Sequence, residues 1–172
     1  KQNKIYFVFT SALSDEHRIS KWVRLHGDGV SEIAFNSNSV KSDYNHAIQN
    51  GAVSVNEYNE LKDSEGLYKN AAVKAYGEVI HSLIDDSDYN GVWKPRFIPY
   101  SPPSVALNEV NLLLVDHVVA NVEDKKMNQW VKYYEDCFGF DAFIEFTEDD
   151  IATQYSALRS KVMKSQNGKI KL

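Results

Sequence analysis

One order of elements occurs twice along this chain: a strand, a helix, then three strands. The first occurrence covers residues 30–85. Gly29-Val30 opens a strand over residues 31–35. Ser39 is placed to cap a helix with Val40, Tyr44, Ala47 and Ile48 on one face, and Gly51 closes it. A short strand follows near residues 52–55. The polar stretch 56–70 reads as a loop, and residues 71–76 and 79–84 read as two strands turning at Gly77-Glu78. The second occurrence covers residues 112–172. It starts with a strand over 112–122. Asp124 then caps a helix that places Met127, Trp130, Val131, Tyr134 and Phe138 on one face and stops at Gly139. Residues 142–146 and 155–163 are strands, and Asn167-Gly168 turns into the last one.

Ahead of these units, residues 5–10 are rich in β-formers and read as the closing strand of an earlier unit. A helix beginning near Ser14 follows, with Ile19, Trp22, Val23 and His26 on one face and Gly27 as its stop. All four prolines, Pro95, Pro99, Pro102 and Pro103, fall in the aperiodic stretch 89–110, which reads as an extended linker. The expectation is an α+β protein of repeated βαβββ units, the first and last incomplete. Its domains are residues 1–88 and 111–172, and the whole is a piece of a longer protein. Unpaired strand edges at its ends favour association with a second copy, so a homo-oligomer is expected.

Charge and composition narrow the partners. Lys plus Arg is 19 and Asp plus Glu is 24, a net charge of −5. Nucleic acid asks for the opposite sign, so none is expected. The longest apolar run, residues 112–115, is far short of the roughly 20 residues of a membrane helix. The single cysteine, Cys137, cannot form an internal disulfide, which fits a reducing cytoplasm.

Few side chains suggest chemistry by type and spacing. On a strand, Val115, His117, Val119 and Asn121 share one face. A histidine among valines is either a hydrogen-bonded core residue or a ligand, and no second ligand lies at metal-motif spacing. His81 competes with it on another strand. His17, His26 and His46 lie on or beside helices and read as solvated. Gly27-Asp28-Gly29 is a turn, too short for a phosphate loop. Cys137 ends an amphipathic helix and reads as packing, and the acidic run Glu148-Asp149-Asp150 reads as solvated.

Five stretches taken in order carry a family likeness: His26-Gly27-Asp28-Gly29-Val30; Tyr76-Gly77-Glu78 with His81; residues 115–122 around His117; WVKYYEDCFGF at 130–140; and residues 155–160 ending in Ser160. Together they resemble the 4-hydroxyphenylpyruvate dioxygenase family of the vicinal oxygen chelate superfamily. The resemblance implies four βαβββ units in two domains, and Fe(II) held by two histidines and one glutamate. It also implies conversion of 4-hydroxyphenylpyruvate and O2 to homogentisate and CO2, a step of tyrosine and phenylalanine catabolism. His117 matches the first metal ligand, and Val119 and Ser160 match positions lining the substrate cavity. No further catalytic residue is implied here. The other two ligands would lie beyond Leu172, and His81 would take no part in iron binding. Two other readings stay open: 4-hydroxymandelate synthase, with the same substrate and iron, and a metal-free small-molecule binding protein of the same superfamily.

Overall fold

A computed structural model describes residues 1–100, 111–146 and 159–172 of the chain. Helix α1 spans Arg18–His26, strand β1 Glu32–Asn36, helix α2 Val40–Gln49, and strands β2, β3 and β4 span Ser54–Asp63, Gly66–Lys74 and Ile80–Tyr89. Helix α3 spans Met127–Phe138, and β5 and β6 span Asp141–Phe146 and Ser160–Lys164.

Strands β1 to β4 form one sheet in the order β1-β4-β3-β2. β4 inserts between β1, to which it is parallel, and β3, to which it is antiparallel. With α2 as the crossover, this is a closed strand-helix-strand-strand-strand unit. Leu83 pairs with Phe35 on one side and Ala71 on the other. These three side chains and Val73 meet Val40, Tyr44 and Ala47 of α2 in one core cluster. Burying each of the larger apolar groups contributes about 1.5–3 kcal/mol. Cys137 of α3 joins the same cluster, so α3 packs on this sheet as well.

The stretch 56–70 is not a loop. It is the body of the β2–β3 hairpin, turned where the Glu65 amide donates to Asp63 Oδ1 at 2.8 Å and Gly66 takes φ +131°. Two register shifts interrupt the β2 pairing, and only Val55, Tyr58 and Leu61 are half-buried, three residues apart. Bulges on a largely solvated edge strand thus erase the period of two that marks a strand in sequence. β4 likewise continues to Tyr89, where it pairs with Gly66.

The second unit is sparser. α3 ends at Gly139 in the left-handed conformation; its amide donates to the Glu135 carbonyl, and the Phe140 amide donates to that of Tyr134. β5 and β6 are antiparallel, residues 170–172 hydrogen-bond back to Ser165 and Met163, and the Val118 amide donates to Lys171 O at 3.1 Å. Neighbours therefore run 118, 171, β6, β5, the same order as β1, β4, β3, β2.

Two expected strands, residues 5–10 and 112–122, are extended but join no ladder among the described residues. Gln2 and Ile5 make one isolated bridge, and the second segment is tied at Leu112 to the Gln2 and Asn3 side chains and at Asp116 and Val118 to Lys171. β-Rich composition gives a strand only where a neighbour offers a row of donors and acceptors. Residues 155–158 of the expected strand 155–163, the Glu148-Asp149-Asp150 run and much of the expected linker lie outside the described residues.

Candidate functional site

The extended segment around His117 alternates regularly. Val118, Ala120 and Val122 are half-buried, while His117, Val119 and Asn121 are exposed. His117 and Val119 thus share a face, as strand geometry requires. That face is open: the His117 side chain is 59% exposed and Val119 is 76% exposed. The strand expected over 112–122 does not form among the described residues, and His117 is not a buried core residue.

A carboxylate orients the imidazole. His117 Nδ1 lies 2.8 Å from Asp116 Oδ2, and Lys171 Nζ donates to Asp116 Oδ1 at 3.0 Å. The His117 bond and then the Lys171 bond hold the Asp116 carboxyl below its ordinary range. An ionised Asp116 can only accept, so Nδ1 carries a proton, and in the neutral ring Nε2 then keeps its lone pair. A carboxylate on one ring nitrogen and a free second nitrogen is the arrangement of a metal-ligating histidine with its supporting partner. Asp116 and Lys171 are the site residues that sequence spacing misses. Adjacent residues on a strand point to opposite faces, so neither alternation nor motif spacing pairs Asp116 with His117.

Ser160 opens β6, half-buried and paired with Phe146. Ser156 and Leu158, which would share its face on the expected strand 155–163, lie outside the described residues. Among the described residues, no three His, Cys, Asp or Glu side chains converge. The structure therefore supplies one oriented imidazole and no ligand set.

The other histidines have structural work. His81 is fully buried, and its Nε2 accepts from the Tyr134 hydroxyl at 2.7 Å. Nδ1 faces the Ile33 carbonyl at 3.4 Å. Burial in this apolar setting lowers its pKa to about 4, against the smaller opposing effect of the Ile33 carbonyl. His17 caps α1 by accepting from the Ile19 amide, His46 Nε2 donates to Asp136 O at 2.9 Å, and His26 Nε2 lies 2.9 Å from Glu78 Oε2. All three are exposed, as expected, and each also holds a hydrogen-bond partner. Cys137 is buried with its thiol on the Asn50 carbonyl at 3.5 Å, and burial raises its pKa, so it packs rather than reacts. Gly27, at φ +73°, ends α1 as a turn residue.

Several known proteins resemble this chain. 4-Hydroxyphenylpyruvate dioxygenase of Dictyostelium discoideum is 38% identical over 176 residues, which are 99% of this chain and 48% of that protein. The proteins of the same name from Yarrowia lipolytica and Caenorhabditis briggsae are 35% and 36% identical over 98% and 100% of this chain, each covered to 45%. The chain spans about half the length of the curated relatives it matches. No family model matches it. Among solved structures, a mutant of 4-hydroxymandelate synthase from Streptomyces coelicolor superposes with a TM-score of 0.72 at 20% identity, covering 92% of this chain and 44% of that one. The fold is therefore that of the vicinal oxygen chelate proteins, built from βαβββ units.

Proposed function

We propose that this chain, a homologue of the 4-hydroxyphenylpyruvate dioxygenases over nearly its whole length, carries part of the active site of such an enzyme. In this reading residues 1–88 belong to the N-terminal domain, 89–110 link the two, and 111–172 open the catalytic domain. The observation that supports the reading is the Asp116–His117 pair, with its 2.8 Å contact, at the histidine that the resemblance matches to the family's first metal ligand. The chemistry of the pair fits an Fe(II) ligand. His117 Nε2 would hold the ion while Asp116 fixes the tautomer and ring direction, and Lys171 keeps Asp116 ionised and in place. Fe(II), when bound, would supply the redox chemistry that joins O2 to an aromatic 2-oxoacid.

The remaining roles belong to the chain's own side chains. Val119, beside His117 on one face, would form an apolar wall for the aromatic ring. Ser160 would donate a hydrogen bond to the substrate. The other protein ligands would come from the part of the enzyme that this chain does not match. A cytoplasmic enzyme, assembled from more than one copy, is part of the same reading. Among the described residues, no helix is long and apolar enough to cross a membrane.

The test uses the longer protein that contains this chain. His117→Ala should lower bound iron and abolish substrate-dependent oxygen uptake, because a three-ligand site loses one ligand. Iron content and turnover equal to the unaltered enzyme would overturn the assignment. The likeness to 4-hydroxymandelate synthase supports a second reading, in which oxygen enters the side chain rather than the ring. Chromatography of the product separates the two: homogentisate for the first, 4-hydroxymandelate for the second.

A further inference from the structure

His81 stands apart from the site at His117 and joins two units. It lies on β4 of the first unit, and its hydrogen-bond partner Tyr134 lies on α3 of the second. We propose that His81 and Tyr134 form a latch that holds α3 on the sheet of the first unit while His81 is neutral, and that protonation of His81 opens it. The proposal does not depend on the activity assigned above.

A neutral ring fits this geometry: with Nδ1 donating to the Ile33 carbonyl at 3.4 Å, Nε2 accepts from the Tyr134 hydroxyl at 2.7 Å, and the complete burial of the ring is what opposes a second proton. Phe35 of β1, Tyr76 of the β3–β4 turn and Phe138 of α3 close around the imidazole at ring-centroid distances of 4.7, 6.3 and 5.7 Å. The β3 residue paired with it is Val73, which is fully buried. The titratable groups facing His81 are thus the phenols of Tyr76 and Tyr134, both with raised pKa and uncharged throughout the acid range. The neighbouring Tyr133 hydroxyl is engaged by the Lys74 carbonyl, and the Cys137 thiol by that of Asn50. On the other face of the sheet, Glu32 takes the Ser82 hydroxyl, and further along β4 Asp85 takes Lys69. Among the described residues no carboxylate balances a proton placed on His81, and burying an unpaired charge is strongly unfavourable.

The size of the response follows from the two protonation states. The latched ring titrates at about 4, and a released ring titrates near the ordinary 6.5. Linkage then favours opening about twentyfold between pH 7 and pH 5.

Cys137 reports the opening, because it is buried on α3 against the first unit. The rate at which 4,4′-dithiodipyridine labels Cys137 in the native chain would be divided by the rate in the denatured chain at each pH. Amide exchange in β3 and β4 would be followed in parallel. The normalised rate should rise about twentyfold from pH 7 to pH 5 while β3 and β4 stay protected. Tyr134→Phe should raise it about tenfold at pH 7, and His81→Phe should make it independent of pH in this window. A flat profile in the unaltered chain, the same profile in His81→Phe, or loss of β3 and α3 protection together would overturn the latch. If His81→Phe does not fold, a ring-carbon NMR titration of His81 decides: a midpoint near 6.5 overturns the proposal, and one near 4 upholds it.

Discussion

Asp85 shows how one carboxylate becomes an acid-sensitive point of the fold. It is buried on β4, with Lys69 Nζ on Oδ2 at 2.8 Å and the Ser87 hydroxyl and amide on Oδ1 at 2.6 and 3.1 Å. The Lys69 bond first, and the Ser87 bonds next, lower its pKa to about 2. A depressed folded pKa means that the ionised form is favoured in the native state. The stabilisation is present above the unfolded value near 3.9 and is lost as pH falls toward 2. Asp85→Asn should therefore lower stability by about 2 kcal/mol at neutral pH. It should also flatten the fall in stability between pH 4 and 2, as read by urea unfolding at a series of pH values. An unchanged acid slope would show that the Lys69 pair does no such work. The window is separate from that of His81, whose neutral form is favoured and whose contribution fades as pH falls from about 6.5 toward 4. Neither environment is visible in sequence. Lys69 and Asp85 are 16 positions apart and meet only because β3 and β4 pair in one register.

Elements were legible to different degrees, for reasons that lie in particular residues. α2 and α3 follow their apolar spacing, and α1 and α3 stop at Gly27 and Gly139 as expected. Ser39 stands at the N-cap of α2 as expected, without a side-chain cap bond, whereas α1 begins after His17 rather than near Ser14, and Lys126 precedes α3 where Asp124 was expected. The β2–β3 hairpin escaped because bulges break the alternation of β2, even though its turn, Asp63-Ser64-Glu65-Gly66, is made of usual turn residues. That glycine is decisive nonetheless. It adopts φ +131°, and a Cβ there would collide with the Asp88 backbone oxygen across the β3–β4 pairing. Gly66→Ala should destabilise the chain by about 2–3 kcal/mol. Chemical denaturation measures this directly. A loss below 0.5 kcal/mol, on the order of an ordinary surface change, would mean that the hairpin end relaxes freely. The site at His117 was legible as a residue but not as a geometry. Its partners Asp116 and Lys171 come from an adjacent position and from the distant C-terminal stretch.

At the scale of the molecule, the first unit is complete while the second is open. The first buries Phe35, Leu83, Val40 and Val73 in a continuous core. Phe9, Leu13, Ile98 and Leu113, outside both sheets, are 94%, 99%, 84% and 77% exposed. Apolar surface of this extent is normally covered in the working protein, which agrees with a chain matching about half of each relative.

The position of β4 between β1 and β3 also dictates a sequence of events in time. β3 and β4 are joined by a short turn, whereas β1 meets β4 across 48 positions of chain, the separation of Ile33 from His81. Closing the larger loop carries the greater entropic penalty, which must be met before its contacts return anything. Refolding should therefore protect amides of β3 and β4 first and those of β1 last. Pulsed hydrogen exchange during refolding reads this order, and protection of β1 ahead of the hairpin would refute it. Until β1 arrives, β4 is an unpaired edge, and the last step of assembly is the one that hides it.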